Sequence, residues 1–134
     1  MISIELARKL RDAGLRWTPA PGDRFVVPNR DMDDEVFVLS DMTIEVHDLP
    51  HGPVIGFNGT VEWALDSVEA EKALWLPRET QLRELLAGTF RGLERSADGW
   101  LVRTEVNGVP DTSDDADAEQ AYGLALLDLL QAAR

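Results

Sequence analysis

Twice in this sequence a dipeptide suited to tight reversal, Asn58-Gly59 and Asp98-Gly99, stands between runs rich in β-branched and aromatic residues. A reversal that short joins antiparallel strands, because a parallel pair needs a crossover of about a dozen residues or more. The flanking runs are Val54-Ile-Gly-Phe57 with Thr60-Val-Glu-Trp-Ala-Leu65, and Phe90 to Ser96 with Trp100 to Val106. Upstream, Arg24-Phe-Val-Val27 and Glu35-Val-Phe-Val-Leu39 bracket the polar stretch Asn29 to Asp34 and predict another antiparallel pair. Met42-Thr-Ile-Glu-Val-His47 alternates apolar and polar residues, as a strand with one wetted face does. Leu49-Pro-His-Gly-Pro53 then turns the chain into the next strand.

Three segments carry helical spacing instead. Ser3 suits the N-cap of a helix over residues 4 to 13, where Leu6, Ala7, Leu10 and Ala13 recur before Gly14. Prolines at 19 and 21 deny both helix and central strand to the segment that follows. A second helix, Arg78 to Ala87, places Leu82, Leu85 and Leu86 on one face ahead of Gly88. A third, over 116 to 132, aligns Ala118, Ala121, Tyr122, Ala125, Leu126, Leu129 and Leu130 in a stripe broad enough to cover a sheet. The acidic loop Asp111-Thr-Ser-Asp-Asp115 precedes it, with Ser113 or Asp114 as the expected cap. Ser67 to Ala73 reads as a short helical turn capped by Ser67. The order predicts an α+β fold: a mostly antiparallel sheet of about six strands with three helices packed on one face, in a single domain spanning residues 1 to 134.

Cysteine is absent, which removes disulfides, cysteine-zinc sites, iron-sulfur ligation and thiol catalysis together. Hydrophobic residues at 44% supply enough core material to fold without such staples, and a cytoplasmic location is expected. The first ten residues mix charge with apolar positions, unlike a signal peptide, and no stretch reaches the roughly 18 apolar residues of a membrane span. Net charge is −12, concentrated in residues 41 to 77, with one basic and seven acidic groups, and 111 to 134, with one and six. A field of that sign opposes the approach of phosphates, so neither nucleic acid nor membrane is an expected partner.

The candidates for chemistry are few. His47 and His51 are the two histidines, and the prolines and glycine around His51 exclude a helix that would stack them, so they are no zincin pair. With Asp41, Glu45 and Asp48 they sketch a metal or acid/base site, against the plainer reading of a polar strand face entering a turn. Asp31-Met-Asp-Asp-Glu35 begins like a calcium loop, but the sixth and twelfth places hold Val36 and Met42 where glycine and glutamate belong. Ser40-Asp41 and Asp66-Ser67 lack the G-x-S-x-G elbow of a hydrolase. Neither Lys9 nor Lys72 follows a glycine, so no phosphate-cradling loop exists, and no dinucleotide motif or other cofactor signature replaces it. Trp17, Trp63, Trp75 and Trp100 are candidate interface anchors, with core packing the expected role of Trp75 and Trp100.

Over Asp41 to His47, Ile55 to Val68 and Leu74 to Leu86 the chain resembles a family of short actinobacterial proteins, some of which carry a pilus-assembly label shared with a family of ATPases. The missing phosphate loop argues against carrying an ATPase activity over. The second half, from Leu76-Pro77 through Trp100 to the terminal alanine-rich helix, is also similar to small phage-type proteins of unknown function. The resemblance implies no site residues. Two functions are therefore expected: a non-enzymatic acidic binding or adaptor domain for a protein partner with a basic surface, or a small metal-dependent hydrolase using His47 and His51 with nearby carboxylates.

Overall fold

A computed structural model describes residues 1–28, 35–39, 45–49, 52–56, 67–69 and 73–133, the three segments between 45 and 69 as main chain. The chain divides into two compact units, one of residues 1–15 with 77–134 and one of residues 16–76.

The first unit contains α1 (Ile4–Asp12), α2 (Glu79–Leu86), the strands β7 (Phe90–Ser96), β8 (Gly99–Val106) and β9 (Val109–Asp115), and α3 (Ala118–Ala132). All three helices lie where periodicity puts them. In α1 the four expected apolar residues are buried, Ser3 Oγ accepts the Leu6 N–H at 3.0 Å, and Gly14 takes φ +111°. The α3 stripe packs on β8 and β9, and its Tyr122 ring lies 5.6 Å from that of Phe90. Gly123 and Leu127 are buried besides, because α1 also rests on α3: a Cβ at Gly123 would lie 2.6 Å from Leu6 Cδ2. Leu85, expected on the buried face of α2, is exposed, while Leu82 and Leu86 are fully buried.

Strands β7, β8 and β9 form an antiparallel sheet in that order. Ser96 pairs with Gly99, so the reversal is Ala97-Asp98 and Gly99 already belongs to β8. Val102 and Thr104 are buried, while the intervening Arg103 is exposed and pairs with Glu94 at 3.0 Å, the alternation of a sheet with one wetted face. The acidic segment 111–115 is not a loop. It continues β9, turned back from β8 at Asn107 (φ 51°) and Gly108 (φ 80°), a pair of positive φ angles suited to a two-residue hairpin. The cap of α3 is accordingly Asp117, not Ser113 or Asp114.

The helix starts satisfy their free N–H groups across the fold. Asp117 Oδ2 accepts the Gln120 N–H at 3.1 Å and the Met1 ammonium at 3.0 Å. Glu119 contacts the same ammonium at 3.1 Å and accepts the Glu79 N–H of α2 at 3.0 Å. Burial works against the ammonium, but the hydrogen bonds to Asp117 and Glu119 outweigh it and hold its pKa above the ordinary value. At the other end of α2, Ala87 and not Gly88 takes the positive φ, 51° with ψ −130°. A side chain is strained there, by about 1–3 kcal/mol. Ala87→Gly is expected to raise stability by about 1 kcal/mol after the extra chain entropy of glycine, read as a shift in the urea midpoint at unchanged slope.

Among the described residues, the second unit carries two more three-stranded antiparallel sheets. One has the order β2 (Phe37–Val38), β1 (Arg24–Val26), β6 (Leu74–Trp75), and the other β3 (Glu45–Leu49), β4 (Gly52–Gly56), β5 (Ser67–Glu69). The expected pairing of 24–27 with 35–39 is present, with Phe25 opposite Phe37 and their rings 5.5 Å apart. Two expectations need correction. Ser67–Glu69 is a strand paired with β4 and not a helical turn, since pairing partners override a weak local preference. The described strands make three separate sheets and not one of about six, so the α+β class holds and the single layer does not. The hairpin expected at Asn58-Gly59 lies outside the described residues. No described helix is long and apolar enough to cross a membrane.

Candidate functional site

Of the histidine site expected from the sequence, Glu45, His47 and Asp48 lie among the described residues. His47 sits in β3 opposite Val54, Asp48 opposite Pro53 and Glu45 opposite Gly56. Strand alternation puts positions 45 and 47 on one side of β3 and position 48 on the other, so these three do not share a face. His51 and Asp41 lie outside the described residues, as do Ser40, Asp66, Trp63 and positions 31 to 34. Glu35 is exposed, and Ser67 pairs with Gly56 in β5. Among the described residues no three His, Asp or Glu groups are placed to hold a metal ion.

The tryptophans divide by unit. Trp17 and Trp75 stack at 6.5 Å with 10° between their planes, and Trp17 also meets Phe25 at 5.4 Å. Trp100 is half-buried, with the Arg95 guanidinium 4.9 Å above its ring. Sequence reasoning missed Asp23, a carboxylate only 2% exposed. Its Oδ2 accepts the Trp17 indole N–H at 2.8 Å and the Ala20 N–H at 3.0 Å, closing the proline-rich loop Thr18 to Gly22. Two donors converging on one oxygen give that carboxylate a structural task. Asp23→Ala is expected to destabilise the second unit by about 2–3 kcal/mol, since it strands both donors away from water. Asp23→Asn, which keeps an acceptor, should cost less; urea unfolding followed by tryptophan fluorescence separates the two.

Exposed acidic charge gathers elsewhere, along β9 and α3. Among the described residues β9 ends its sheet, and positions 109 to 112 and 114 are exposed, Val109 at 65%. In a hairpin closed by a two-residue loop the pair flanking the loop, here Val106 and Val109, is the closely bonded one. Main-chain groups of Pro110, Thr112 and Asp114 therefore turn outward. Pro110 has no N–H, and the Thr112 N–H is taken by Asp111 Oδ1 at 2.8 Å. The edge thus offers mainly acceptors, a composition that discourages addition of another strand. On α3, which packs against β9, Asp128 is exposed as well. Partial burial raises the pKa of the Asp128 carboxyl, and the negative charge of Asp111 raises it further. Chemically this surface can receive cations and hydrogen-bond donors. Comparison with protein-family models, with curated proteins and with solved structures gave no match to the chain.

Proposed function

We propose that this chain is a non-enzymatic acidic binding or adaptor domain that engages a basic segment of a protein partner, with the outer edge of β9 and Asp128 of α3 as the contact. The observation that carries this reading is the exposed acidic edge of β9, positions 109 to 112 and 114, together with the exposed Asp128 of α3, whose carboxyl feels the like charge of Asp111. Such a pair raises the free energy of the unbound domain, and a cation placed between the carboxylates lowers it. The blocked donors at Pro110 and Thr112 favour a partner that brings N–H groups. Arginine suits it best, because its planar fork bonds two carboxylate oxygens at once. A net charge of −12 draws such a segment in from a distance and repels a second copy of the chain.

The test is a pull-down from the source lysate at low and moderate salt, with wild-type protein beside an Asp111→Asn, Asp128→Asn double variant. Wild type should retain a partner with a basic segment, more strongly at low salt, and the variant should lose at least about tenfold in affinity. Removing both repelling charges while asparagine keeps the oxygen that accepts the Thr112 N–H leaves the fold no less stable, so an unchanged urea midpoint would assign the loss to binding. No partner at either salt, or equal capture by the variant, would sink the proposal.

A further inference from the structure

We draw no further inference here: the strongest candidate, the acidic outer edge of β9 with Asp128 of α3, belongs to the surface already described, and among the described residues no second feature points to a ligand there.

Discussion

Replacement of Gly99 by alanine is expected to destabilise the first unit by about 3 kcal/mol, enough to threaten a domain whose whole stability is of order 5–15 kcal/mol. Two causes add. Gly99 holds φ +156°, a conformation side chains seldom take. A Cβ there would also run into the Asp115 carbonyl oxygen and stand 2.6 Å from the Ala116 Cα, where β9 ends. Those are main-chain atoms of a paired strand, so relief requires moving β9 and not merely turning a side chain. Gly108→Ala is the natural comparison: its φ is +80° but nothing lies within 4 Å of the added carbon, so only backbone strain of about 1 kcal/mol is expected. Urea denaturation of both variants reads the difference, and equal midpoints would show that the close approach at Gly99 does not matter.

Tyr122→Ala should cost about 4 kcal/mol, the range for emptying an aromatic site in a packed core. The residue is 1% exposed, lies against Phe90 and occupies the layer between α3 and its neighbours. Its hydroxyl is not idle: burial raises the phenol pKa, the charge of Glu79 raises it further and Arg83 opposes, while a hydrogen bond joins the phenol to Glu79 on α2. Tyr122→Phe keeps the ring and removes only that bond, so a loss of about 1–2 kcal/mol is expected. Thermal unfolding should order wild type, Tyr122→Phe and Tyr122→Ala by falling midpoint. If the phenylalanine variant matched wild type, the bond to α2 would contribute nothing to stability.

What the sequence made legible was local. Apolar spacing located α1, α2 and α3 to within about two residues, and strand-forming runs around a short reversal located β7 and β8, because each pattern reports burial within one element. Strand β9 escaped because Val-Pro-Asp-Thr-Ser-Asp-Asp has the composition of an exposed edge, where proline and acids limit further pairing, and that composition reads as a loop. Strand β6 is two residues long and owes its existence to β1, a partner far away in sequence. Asp23 was legible only in hindsight: a carboxylate directly after Pro-Gly, six residues beyond a tryptophan, marks a loop that a side chain can close. The influence of Asp111 on Asp128 had no local signature, since it depends on how α3 packs against β9. Within the histidine site, spacing alone could not say which face each residue takes, and alternation along β3 puts Asp48 on the side opposite to Glu45 and His47.

Contacts between α1 and α3 bind the two ends of the sequence, with Ser3 donating its main-chain N–H to Gln120 across 117 positions at 2.9 Å. During synthesis, Leu6, Ala7 and Leu10 leave the ribosome long before the helix that shelters them has been translated. Loop closure of that span makes docking of α1 a late, high-contact-order event. Nascent chains halted ahead of residue 118 should therefore display these apolar groups to chaperones.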